Sequence, residues 1–141
     1  DAQKFDLALK KINFAKSVLE KADNHITSAL LYLQLEDFDS AKKDLNIAMK
    51  LEPDNYKTLK LLGDIEQQGL NPNLKKAKEY YNQALEVADD KSEIIQSLVH
   101  IYVELEDYDS AIALSEKLLA NNPDDADIYF NVGIKVENES I

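Results

Sequence analysis

The sequence predicts an all-α fold, a stack of antiparallel helix pairs with about seven helices in all. Three observations lead there. Leu35-Glu36-Asp37-Phe38-Asp39-Ser40-Ala41 returns as Leu105-Glu106-Asp107-Tyr108-Asp109-Ser110-Ala111, and Pro53-Asp54 returns as Pro123-Asp124 at the same offset of 70 residues (35 to 105). Two copies that far apart, with room for a third between them, mark a stacked array. Apolar residues also recur at helical spacing along most of the chain. The third observation is composition. Ala, Leu, Lys, Glu and Asp dominate, and only 3 Gly and 3 Pro interrupt 141 residues, a mixture that favours helices.

The elements follow in order. Ala8, Ile12, Ala15 and Leu19 continue from Phe5 at helical spacing, so residues 3–22 read as one amphipathic helix. Asp23-Asn24 reads as a break with capping residues. Ser28, Ala29, Tyr32 and Leu35 mark a second helix near 25–36, which Asp37 ends. Phe38, Ala41, Leu45, Ala48 and Leu51 stripe a third, near 38–51, and Pro53-Asp54-Asn55 turns the chain. Leu59, Leu62, Gly63 and Glu66 place a helix near 56–68. After Gly69-Leu70-Asn71-Pro72-Asn73, the residues Leu74, Ala77, Tyr81, Ala84, Leu85 and Ala88 place another near 74–88. Ile95, Leu98, Val99 and Tyr102 give 92–105, and Tyr108, Ala111, Ile112, Leu118 and Leu119 give 108–121. Past Asn121-Asn122-Pro123, Tyr129, Val132, Gly133 and Val136 begin a further helix. Ala41 to Ala77 is 36 residues and Ala77 to Ala111 is 34. A 34-residue period with a short insertion at 69–73 fits every landmark.

This pattern resembles the tetratricopeptide repeat family, whose unit is a 34-residue helix pair with large and small residues at fixed spacing. Residues 22–55 carry Ala29, Tyr32, Ala41, Leu45, Ala48 and Pro53 at those spacings. Residues 56–91 carry Leu59, Leu62, Gly63, Ala77, Tyr81 and Ala84, and residues 92–125 carry Ile95, Leu98, Tyr102, Ala111 and Pro123. Residues 126–141 carry Tyr129, Val132 and Gly133 of a first helix, while residues 1–21 look like the second helix of a preceding unit. The chain thus reads as a single repeat domain over 1–141. Val99, Ser115, Leu118, Glu66 and Asp89 depart from the family's usual residue types. The resemblance implies a right-handed superhelix, an α-solenoid. Gly63 or Ala29 would let Ala41 or Ala48 approach closely, with Tyr32, Tyr81 and Tyr102 filling the wider gaps.

Composition bounds the chemistry. A net charge of −11 opposes nucleic acid and anionic lipid as partners. The 16 basic residues are all lysines, so no bidentate guanidinium fork exists for phosphate or carboxylate. Cysteine is absent, which excludes disulfides and thiolate chemistry and suits cytoplasm and periplasm equally. No transmembrane run or signal peptide is visible, although a chain beginning at Asp1 leaves a removed leader open. The acidic clusters at 36–39 and 106–109 lack the Gly and Glu of a calcium loop. Lys42 and Ala48 stand at those places after Asp37, and Ile112 and Leu118 after Asp107. They read as helix–helix turns, with Asp39 and Asp109 favouring a helix N-terminus. His25 and His100 are too few for a zinc site. His25 is expected to help start a helix and His100 to lie on a helix surface. No nucleophile motif or phosphate loop appears. Asn138-Glu139-Ser140 is a single glycosylation match, and Lys75, Lys76 and Lys78 read as a solvated face. No catalytic residue, cofactor or metal is expected.

In the family the first helix of each pair lines a groove. The resemblance therefore places Ile26, Leu30, Leu33 and Gln34 there, then Lys57, Lys60, Leu61, Asp64 and Gln68. Glu93, Gln96, Ser97, His100 and Glu104 follow, and then Asp127, Phe130, Asn131 and Ile134. The groove reads apolar, polar, apolar. Ile26, Leu30 and Leu33 form a second apolar stripe on their helix; either a partner's peptide or helix lies there, or the helix at 3–22 covers it. Some family members clamp an acidic C-terminal peptide, but Ile26, Leu30, Leu61, Glu93 and Ser97 stand where the donors would be needed. The expectation is a non-enzymatic adaptor binding a protein or peptide. Alternatives are the recruitment arm of a larger enzyme, since the chain starts beside half a unit and ends inside another, or a scaffold self-associating through its end helices. RNA binding is opposed by the charge and the absence of Arg.

Overall fold

The computed structural model describes residues 1–18 and 20–121. Among them lie seven α-helices and no strand: α1 (Ala2–Val18), α2 (Ala22–Gln34), α3 (Phe38–Leu51), α4 (Tyr56–Gln68), α5 (Leu74–Val87), α6 (Ser92–Glu104) and α7 (Tyr108–Asn121). Each helix packs on the next, and contact is densest within the pairs α2–α3, α4–α5 and α6–α7. Three helices keep the expected bounds, and the corrections fall at turns. Asp23 and Asn24 do not break the chain; α2 already begins at Ala22 and takes them into its first turn, where an acidic side chain suits the helix dipole. Leu19 and the helix beginning near 129 lie outside the described residues.

The repeated heptapeptides show why one sequence makes one turn. Glu36 and Glu106 adopt positive φ, 58° and 59°, and reverse the chain after α2 and after α6. Asp37 and Asp107 then cap the next helix, each accepting a hydrogen bond from the backbone N–H of the serine three residues on, Ser40 at 3.1 Å and Ser110 at 3.2 Å. The caps are therefore Asp37 and Asp107, and Asp39 and Asp109 are the second residues of α3 and α7, in the first turn where an acidic side chain was expected.

The core runs along the seam between helices. Ala29, Ala41, Leu45, Leu62 and Ile65 form one buried cluster across α2, α3 and α4. Leu59, Ala77, Tyr81, Ala84, Ile94, Leu98 and Ile101 form another across α4, α5 and α6. Gly63 opens space for a side chain rather than for a second small residue. A Cβ there would stand 2.7 Å from the Tyr81 ring, well inside any normal contact. Glu66 is buried about one turn on, paired with Lys42 and, at 3.7 Å, with Lys76. The basic cluster is thus not uniformly solvated: Lys78 lies 5.6 Å over the Tyr102 ring.

His25 lies in the first turn of α2, near the helix start as expected, and is buried. Its Nδ1 lies 2.9 Å from Asp44 Oδ1. Asp44 also accepts from Ser28 Oγ and from Lys16 Nζ at 2.9 and 3.1 Å. A carboxylate can only accept, so His25 Nδ1 carries the hydrogen. Burial alone would push the Asp44 carboxyl up; the hydrogen bonds from Ser28, His25 and Lys16 outweigh it and hold Asp44 below the ordinary carboxylate range. Lys16 belongs to α1, so this cluster fastens α1 onto the first pair.

Candidate functional site

The first helices of the pairs, α2, α4 and α6, supply every residue of two adjoining openings. Their starts are set by short-range chemistry. Asn55 caps α4 by accepting from Lys57 N–H at 3.1 Å, and Asp90 accepts from Ser92 N–H at 3.0 Å ahead of α6. With these helices side by side, residues at i, i+4 and i+7 of each share a face.

The first opening, about 280 Å³, is largely apolar and is lined by Ile26, Leu30, Tyr56, Lys57, Lys60, Leu61 and Glu93. Leu30 is 45% exposed, so α1 does not cover it. Ile26 is mostly buried against Ala22, Ala48 and Leu61 and shows only its edge. The second opening, about 450 Å³, is polar and is lined by Lys60, Asp64, Gln67, Gln68, Gln96, Ser97, His100 and Glu104. Lys60 lines both, so the two openings adjoin as the halves of a trough.

The polar half is braced from below. The ring of Tyr81 on α5 passes over Gly63, and its hydroxyl donates to Asp64 Oδ1 at 2.6 Å, with Gln67 Oε1 at 3.1 Å. Burial pushes that hydroxyl's pKa well above the ordinary tyrosine range, and the Asp64 carboxylate raises it further, so Tyr81 remains a donor. Lys60 Nζ pairs with Asp64 Oδ2 at 3.0 Å. Gln67 Nε2 donates to Glu104 Oε1 at 3.0 Å, joining α4 to α6 across the trough. His100 Nε2 lies 3.2 Å from the same Glu104 oxygen, an ion pair whenever the imidazole carries a second proton.

Of the residues assigned to the groove from sequence, Ile26, Leu30, Lys57, Lys60 and Leu61 come together in the apolar opening. Lys60, Asp64, Gln68, Gln96, Ser97, His100 and Glu104 come together in the polar one. Leu33 and Gln34 line neither. Leu33 is half-buried against the α2–α3–α4 core and Gln34 is exposed at the end of α2. Asp127, Phe130, Asn131 and Ile134 lie outside the described residues. Sequence reading missed Gln67, although Lys60, Asp64 and Gln67 keep the i, i+4, i+7 spacing that would have found it. It also missed Tyr81 as a groove residue, because a projection of first helices cannot see a side chain arriving from a second helix.

Two sequence models described as tetratricopeptide repeat match the chain, over residues 26–93 and 71–129. The chain belongs to the tetratricopeptide repeat family. Solved structures agree on the fold. MamA superposes with a TM-score of 0.85 at 16% identity, covering 99% of this chain and 81% of that one. YrrB, a TPR protein with an unusual peptide-binding site, gives 0.81 at 20% identity, covering 94% and 68%. The APC/C hetero-tetramer Cut9–Hcn1 gives 0.77 at 18% identity, covering 99% of this chain and 28% of that one. Family and fold are those of protein–protein interaction scaffolds, typically without enzymatic activity. Among the described residues no helix is long and apolar enough to cross a membrane.

Proposed function

We propose that this scaffold works by holding an extended peptide of a partner protein along α2, α4 and α6. An apolar side chain of the peptide sits on Leu30 and Leu61, and its backbone is fixed by the carboxamides beyond Lys60. The observation carrying this reading is that the two openings share Lys60, with every lining residue drawn from a first helix. An apolar seat beside a polar floor supplies affinity and register together. The test is selection of peptides from a displayed library, followed by amide chemical-shift mapping on the labelled protein. Shifts clustered on α2, α4 and α6, and loss of binding in Leu30→Asp with an unchanged circular dichroism spectrum, are expected. Shifts confined to α3, α5 and α7 would sink it.

A second reading has one observation behind it. Leu7 and Phe14 on α1 are 55% and 72% exposed and lie seven residues apart on one face, where two copies could meet. Light scattering across concentration reads this directly: a mass that rises in the native chain and stays monomeric in Phe14→Glu supports it, and a constant mass ends it.

A further inference from the structure

We infer that the polar half of the trough selects a basic side chain, so the partner segment carries a Lys or Arg beyond its apolar anchor. This rests on the peptide reading above and specifies the ligand's chemistry. Asp64 and Glu104 face the same opening from α4 and α6. Both helices end at that edge, at Gln68 and Glu104, so the negative ends of two helix dipoles add to the two carboxylates. Lys60 stands one turn back and pairs with Asp64. Glu104 takes a neutral carboxamide from Gln67. Apart from His100, which also reaches Glu104, the opening carries one positive and two negative charges, in a chain of net charge −11. Its about 450 Å³ exceeds what one long side chain fills, leaving Gln67 and Gln96 to meet the peptide backbone with both donors and acceptors. A cation entering here meets complementary charge, whereas an acidic side chain would face two carboxylates.

The experiment uses the whole chain and a displayed library of peptides about ten residues long, enough to run along the trough at ~3.3 Å per residue. Selected peptides that map to α4 and α6 are resynthesised with each Arg replaced by citrulline and each Lys by norleucine. Affinities are measured for the native protein and for Glu104→Gln. Enrichment of a basic residue at one position is expected, with roughly fivefold weaker binding on neutralising it, as fits a partly exposed charge pair. The same neutralisation should have little effect in Glu104→Gln, and native affinity should fall as salt rises. Peptides that bind α4 and α6 without basic enrichment, or with equal losses in both proteins, would overturn this inference and leave the groove reading standing. No peptide shifting α4 or α6 would overturn both. Spermine binding as tightly as the selected peptides would replace the peptide side chain by a free polyamine and overturn the assignment to a partner segment.

Discussion

The first helix pair, α2–α3, and the second, α4–α5, solve one packing problem with different chemistry. The repeat register aligns Ala29 with Gly63 and Leu45 with Tyr81. A small residue faces a large one in each case, and where glycine replaces alanine the opposing side chain grows from leucine to tyrosine. In the third pair the register sets Val99 against Ser115, the reverse bias. Volume is conserved at the joint while identity is not. The same register aligns His25, Ser28 and Asp44 with Leu59, Leu62 and Tyr80. The first pair thus keeps a buried hydrogen-bonded cluster where the second has apolar contact. Lys16 explains the difference: the polar positions receive α1, and the equivalent apolar ones seat no such charge.

The sharpest break of that comparison is Asp44→Ala. It leaves the Lys16 ammonium, His25 and Ser28 without their acceptor and should cost about 3–5 kcal/mol in urea unfolding, the range for removing one partner of a buried charge pair. Loss of under ~1 kcal/mol would mean the cluster is dispensable, as surface pairs are. The volume rule is tested next. Gly63→Ala drives a methyl group into the Tyr81 ring and should cost about 1–3 kcal/mol. Adding Tyr81→Leu, which recreates the Ala–Leu joint of the first pair, should recover part of that loss, giving a coupling of roughly 1 kcal/mol. Strict additivity would break the comparison.

These joints also show what the sequence could and could not reveal. The period and the helices were legible, because a 34-residue repeat with helical stripes leaves little freedom in where each face points. Leu33 lines neither opening because an apolar residue at the margin of a stripe fits groove and core equally, and only the neighbouring α3 and α4 decide. The buried pairing of His25 was not legible because it depends on Asp44 and Lys16, 19 residues after it and 9 before it, with no spacing signal to link them. Tyr81's place beneath the trough was hidden for a similar reason: Gly63 reads as a site of close helix approach until the ring above it is seen.

Acid makes the two joints diverge. A carboxyl whose folded pKa is held below its ordinary value of 3.8 contributes stability that is present above that pH and lost as pH falls through the lower folded value. The native protein should therefore lose stability below pH 3.8, and Asp44→Asn should lose less over the same interval. Urea midpoints measured across that window check it. Parallel curves for the two proteins would place the acid sensitivity elsewhere, in the exposed caps Asp37, Asp90 and Asp107, whose carboxyls are also held low by serine hydrogen bonds.

The two near-identical turns supply the finest comparison. Asp37 and Asp107 each accept from a serine N–H and from that serine's hydroxyl, the hydroxyl contact being 2.7 Å in both. Each follows a glutamate at nearly the same positive φ. Geometry this similar predicts equal local effects, so Asp37→Ala and Asp107→Ala should open the first turns of α3 and α7 to amide hydrogen exchange by the same factor. The global consequence is a separate readout. α3 is clamped by α2 on one flank and α4 on the other, through Leu45 and Ala48, so fraying at Phe38 is resisted by a core two helices wide. Unequal drops in the unfolding midpoint for Asp37→Ala and Asp107→Ala, with matched exchange at the caps, would show that cap strength is a local property of the heptapeptide while its value to the fold depends on position in the stack. Unequal exchange at the caps would show instead that Phe38 and Tyr108, the one residue that differs between the two copies, already changes the turn.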